Sequence, residues 1–174
     1  METVVVVGNP KTRSRTRDAG LRLAALLGAA EPGIVEVADL GPGLLSWGDE
    51  AVATAVQKVS QADLAIFCSP TFKATYSGLL KLFLDQFSTG TGLMGVTAIP
   101  LMMGAGPAHA LAPDLLLKPV LVELGATTPA PGLYQIDATY GVDGTGQDYA
   151  QRWSPVIAAT ISAAGSGKTA APAR

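Results

Sequence analysis

Four consecutive valines, Val4 through Val7, constrain this 174-residue chain more than any other stretch. A run that short and β-branched throughout is a strand, and the absence of polar alternation buries it on both faces, as inside a parallel sheet. Gly8 turns the backbone where a side chain would collide, and Asn9-Pro10 ends the pairing. Lys11, Thr12, Arg13, Ser14, Arg15, Thr16 and Arg17 come next, and from about Ser14 the pattern turns helical, with Leu21, Leu23, Ala24, Leu26 and Leu27 on one face. Strand, polar-basic loop and helix N-terminus together aim unpaired N–H groups, a helix dipole and a guanidinium at one point, which makes an anion site. The glycine spacing of a dinucleotide fingerprint is missing after Gly8. Hydroxyls and arginine suit a terminal monophosphate instead, and so a mononucleotide.

The remaining strands are punctuated in the same way. Residues 34–39 read as an edge strand, with Glu36 breaking the apolar run, and Asp49 caps a helix reaching about Gln61. Residues 62–68 form a third, almost uniformly apolar strand, followed by a polar-aromatic loop and a helix carrying Leu79, Leu80, Leu82, Phe83 and Leu84. Residues 96–103 form a fourth, in which Pro100 predicts a bulge or bend. Gly104, Ala105, Gly106 and Pro107 make a flexible loop, and a helix runs from about His109 to Leu124 with a kink at Pro119. A fifth strand is expected between Thr127 and Ile136, weakened by Pro129 and Pro131, and a last helix over 147–164, interrupted at Pro155.

Alternating strands and helices of this length give one doubly wound α/β domain over 1–164, with 165–174 expected to be a disordered tail. The chemically distinctive loops follow strands 1, 3 and 4, which meet at the carboxyl edge when the parallel sheet has the flavodoxin-like order 2-1-3-4-5. Hydrophobic residues make up 48% of the chain and charged ones 15%, so helices cover both sheet faces or apolar surface is reserved for a second copy. A net charge of −2 argues against nucleic acid as a partner, and no apolar run reaches membrane-spanning length. One cysteine and one histidine leave neither an internal disulfide nor a metal cluster. The cytoplasm is the expected compartment.

Three segments carry a resemblance: 4–16; the Ser-Pro-x-aromatic-Lys loop at Ser69 to Lys73 with the Ser-Gly-x-x-Lys helix start at Ser77 to Lys81; and 117–126, around Leu117-Lys118-Pro119. Across them the chain resembles the NADPH-dependent FMN reductase family, particularly the flavin reductases that serve two-component monooxygenases in sulfonate utilisation. The resemblance implies FMN and NADPH as cofactors, with hydride passing from nicotinamide to flavin and no catalytic side chain required. Ser14, Arg15 and Thr16 would hold the FMN phosphate with Asn9 nearby. Pro70, Thr71, Phe72 and Lys73 would lie against the isoalloxazine, and Gly104, Ala105 and Gly106 would flank its pyrimidine side. Reduced flavin would go to a monooxygenase partner or to a quinone or azo acceptor, and the protein would be a homodimer or homotetramer. Asn9 stands where the family commonly has serine, and Asp114-Leu115-Leu116 where the sulfonate-linked reductases carry a tyrosine associated with an inserted residue. A flavodoxin-like electron carrier or assembly module is the alternative, though such carriers are usually far more acidic than −2.

Overall fold

A computed structural model describes the backbone of residues 1–168 and the side chains of residues 1–165. Five parallel strands run in the order β2-β1-β3-β4-β5. They are β1 (Thr3–Val7), β2 (Gly33–Glu36), β3 (Leu64–Pro70), β4 (Thr97–Gly104) and β5 (Leu133–Ile136). The valines of β1 lie between β2 and β3, pairing Val5 with Ile34 and Ile66. All four are fully buried because both faces are covered. Val4 and Val6 join Phe67, Met102 and the helices α2 (Glu50–Ser60), α3 (Gly78–Leu84) and α4 (Lys118–Glu123). Val5 and Val7 join Ile66, Cys68, Leu101 and Met103 under α1 (Arg15–Leu26) and α5 (Thr145–Lys168). Among the described residues, no helix is long and apolar enough to cross a membrane.

Five elements differ from the sequence expectation. Strand β2 is at the edge as expected but stops at Glu36; Val37–Leu45 holds two short 3-10 turns meeting at Gly41, whose φ is 53°. Pro100 causes no bulge, since β4 pairs with β3 in unbroken register from Leu64↔Thr97 to Pro70↔Met103. The N–H of Ala98 reaches Thr127 on the β5 side (2.8 Å), so the nitrogen of Pro100, two residues on, faces the same side. There it meets the gap between the Thr127 bridge and Leu133, where no strand asks for a donor. Strand β5 is correspondingly short, because Pro129 and Pro131 fall in that gap.

The expected helix over 109–124 is three pieces: a 3-10 turn at Pro107–His109, a π turn at Pro113–Leu117, and α4. The N–H of Lys118 reaches back to the carbonyl of Pro113, five residues away, just before Pro119, which has no N–H to offer. Asp114, Leu115 and Leu116 lie inside this wide turn, which forms without an aromatic residue there. Helix α5 begins two residues earlier than expected and continues through Pro155 and past Ala164 to Lys168. The rest of the expected tail, 169–174, lies outside the described residues.

Candidate active site at the carboxyl edge of the sheet

Gly8 fixes the start of the first loop. A Cβ there would lie 2.5 Å from the Cβ of Leu80 on α3, so only glycine lets helix and loop meet this closely. Its N–H bonds the carbonyl of Cys68 (2.8 Å), tying the loop to the end of β3. Asn9 then shapes the rest of the loop: its Oδ1 accepts the N–H of Lys11 (2.9 Å) and its Nδ2 donates to Thr16 Oγ1 (2.9 Å). Ser14 caps α1, accepting the N–H of Arg17 at 3.3 Å. Both hydroxyls are thus used as acceptors, which leaves their protons free for an anion. Arg15 reaches across to Asp137, with Nη2 2.8 Å from Oδ2, and retains further N–H donors. Glu36 holds the outer side of the loop, accepting from the N–H of Arg13 (3.2 Å) and facing Arg17 Nε at 3.3 Å.

The second loop is a tight hairpin. Phe72 and Thr75 exchange both backbone hydrogen bonds (2.8 and 3.1 Å), and the corner residues Lys73 and Ala74 both have positive φ, 51° and 70°. That left-handed pair is the geometry of a type I′ turn, unusual without glycine or asparagine and held by its surroundings. Ser69 steadies its base by accepting the N–H of Ser77 (2.9 Å), and Ser77 donates to the carbonyl of Gly8, locking the first and second loops together. Phe72 is left about half exposed at the tip.

The third loop starts at Gly104, where a Cβ would fall 1.9 Å from the hydroxyl of Tyr134. That hydroxyl donates to the carbonyl of Gly106 (2.8 Å), and the N–H of Asp137 donates to the carbonyl of Gly104 (2.9 Å). Tyr134 and Asp137 therefore set the loop and the Arg15 contact, and neither is among the residues expected from sequence. Their roles depend on the β4–β5 register, Met102↔Tyr134 and Gly104↔Ile136, which no local pattern announces.

The eleven expected residues lie together. Asn9, Ser14, Arg15, Thr16, Pro70, Thr71, Phe72, Gly104 and Ala105 line one cleft of about 420 Å³, along with Lys11, Arg13, Met103 and Asp137. Lys73 and Gly106 line an adjoining cleft of about 590 Å³ with Thr71, Gly104, Ala105 and His109. At the junction, the Thr71 hydroxyl is buried and has no hydrogen-bond partner among the described residues. A buried hydroxyl in that condition costs stability unless a ligand meets it. An anion-binding end, a wide apolar end without side chains at Gly104 and Gly106, and an orphan hydroxyl between them fit a phosphorylated planar ring. Cys68 is not part of this site: it is fully buried, and burial, then the charge of Glu36, push its thiol pKa far up.

Known proteins agree with this geometry. The chain is 40% identical over 88 residues to an FMN reductase (NADPH) of Escherichia coli K12, covering 51% of this chain and 46% of that one. That match therefore spans about half the length of the relative. It is 32% identical over 145 residues to the NADH-dependent FMN reductase SfnF of Pseudomonas putida, covering 77% and 76% of the two chains. The apo crystal structure of the NADH:FMN oxidoreductase EMOB superposes with a TM-score of 0.77 at 29% identity, over 93% of this chain and 89% of that one. Residues 1–141 match the family described as NADPH-dependent FMN reductase. Sequence, sheet order and loop placement converge, and the chain belongs to the NADPH-dependent FMN reductase family.

Proposed function

We propose that this protein is an NAD(P)H:FMN oxidoreductase, with FMN seated phosphate-first on the N-terminus of α1. The observation that carries this is the pairing of two proton-donating hydroxyls, Ser14 and Thr16, with the orphan Thr71 hydroxyl further along the same cleft. When bound, the flavin supplies the hydride acceptor. The chain's own work is binding and orientation. Ser14, Thr16, the first-turn amides of α1 and Arg15 meet the phosphate dianion. Thr71 gives the ligand a hydrogen bond in the middle of the cleft, and Phe72 with Met103 supplies apolar contact for a ring. Gly104, Ala105 and Gly106 project little, so the adjoining cleft has room for a second planar ring stacked at hydride-transfer distance.

The relatives' names support both nicotinamide donors, and a flavin-dependent monooxygenase as consumer of the reduced flavin is our reading from the resemblance of the Ser69 to Lys81 and 117–126 segments. We place the protein in the cytoplasm as a homodimer or homotetramer. Leu111 and Leu115 stand about two-thirds exposed, with Leu116 beside them, a row that a second copy would cover. NADPH and NADH oxidation followed with and without added FMN tests the activity. FMN-dependent oxidation is expected; oxidation that FMN does not stimulate, in protein carrying no flavin of its own, would overturn it and return the chain to the carrier reading.

A further inference from the structure

A cavity of about 320 Å³ lies on the α1–α5 side of the sheet and shares no lining residue with the two clefts at the carboxyl edge. Ala19, Leu23 and Leu26 of α1 form its apolar wall, Gln135 its end, and Gly146 and Gln147 the first turn of α5. Arg22 and Tyr140 stand at the rim.

Its polar equipment includes a cluster of N–H donors. Gln135 occupies the same row of β5 as Leu133, facing the α1–α5 core, and is only 5% exposed. Its carboxamide makes no hydrogen bond within the described residues and lies beside Gly146. The carboxamide opens into the cavity and is placed to bond what fills it. The start of α5 adds two more donors. Asp143 Oδ1 accepts the N–H of Thr145 (3.0 Å) and the carbonyl of Gly144 that of Asp148 (2.9 Å), while the N–H groups of Gly146 and Gln147 have no acceptor among the described residues. They sit at the positive end of a 24-residue helix. The nearby carboxylates are engaged elsewhere: Asp18 Oδ2 accepts from Arg22 Nε (2.6 Å) and the Tyr140 hydroxyl (2.9 Å), and Asp143 also accepts from Thr139. Arg22 keeps its terminal N–H groups.

We propose that this cavity binds a small aromatic monocarboxylate, its carboxylate on Gln135 and the first turn of α5 and its ring between Leu23, Leu26 and Tyr140. The size is that of a small-ligand site, and an apolar wall facing a cluster of donors selects an apolar body with one anionic head. The site does not depend on the flavin reading, because the two share no residue.

The test is a titration of the full-length protein, as purified, with 4-fluorobenzoate, followed by ¹⁹F NMR, with 4-fluorobenzyl alcohol as the uncharged ring. Saturable binding of the carboxylate at least ten times tighter than the alcohol is expected. Gln135→Leu and Gly146→Val, the second growing a side chain beside Gln135 from the helix surface, should each weaken it at least tenfold while circular dichroism and the unfolding midpoint show both variants folded. If Gln135→Leu fails to fold, Gly146→Val decides alone. No saturation, equal binding of the alcohol, or unchanged affinity in folded variants would overturn the proposal.

Discussion

The loops after β1 and β4 face each other across one cleft, yet they are built by opposite means. The first is shaped largely by its own residues: Asn9 turns the chain onto Lys11, and Ser14 caps the helix it opens. The second has almost no means of its own and is shaped from β5, through the hydroxyl of Tyr134 and the N–H of Asp137. The difference teaches where a binding residue can be found by reading. Polar shaping within ten residues leaves a local signature, whereas shaping from a strand thirty residues away leaves only a glycine and a tyrosine with no visible connection.

The two glycines that open these loops separate the cases most sharply. Gly8→Ala drives a Cβ against the Cβ of Leu80, so α3 itself must move, at about 1–3 kcal/mol in urea unfolding. Gly104→Ala meets the far end of the Tyr134 ring, which can swing aside at the loss of one hydrogen bond, about 0.5–1.5 kcal/mol. Reversal of that order would show that the third loop is the more rigid. Next in size, Ser14→Ala removes the α1 cap, about 1 kcal/mol by thermal or urea unfolding. It also removes a charge-assisted hydrogen bond to phosphate, so FMN affinity should fall at least about tenfold. Tyr134→Phe should cost about 1 kcal/mol and weaken FMN severalfold, while inorganic phosphate, read by ³¹P NMR, binds unchanged.

The smallest effect concerns the tie between α1 and the segment after β5. Burial opposes ionisation of Asp18, but hydrogen bonds from Arg22 and the Tyr140 hydroxyl, with the charges of Arg22 and Arg17, carry its pKa below the ordinary carboxylate value. A folded-state pKa below the unfolded one contributes stability that is fully present above about pH 4 and lost as pH falls through the folded value. Tyr140→Phe should therefore lower stability slightly near pH 7 and leave the acid end unchanged, so the acid side of the profile flattens a little; the effect is small because the pair is well exposed.

Much of the sheet was legible for a related reason. The uninterrupted apolar residues of β1 and β3 identify central strands, and the convergence of the distinctive loops after strands 1, 3 and 4 favours the flavodoxin-like order over half a Rossmann domain. Pro100 misled because a proline's cost depends on which neighbour its nitrogen faces, a property of register and not of the residue. The π turn before Pro119 was hidden by the expectation of a single kinked helix, and the end of β2 by the continuation of apolar residues at Val37. In the proposed site, the anion-binding end is the part that hydroxyls and cations in the sequence point to. Thr71 and the glycine loop came from resemblance, and Tyr134 and Asp137 needed the folded chain.

If a phosphate on the first turn of α1 anchors the ligand, FMN and riboflavin must differ in affinity, and fluorescence titration of the two measures that difference. Both share the ring, so the ratio of their dissociation constants isolates the phosphate. FMN should bind at least about a hundredfold tighter, from two or more charge-assisted hydrogen bonds, with the advantage largely lost in the Ser14→Ala, Thr16→Val double variant. Equal affinity for the two flavins, or an FMN preference untouched by that variant, would contradict it.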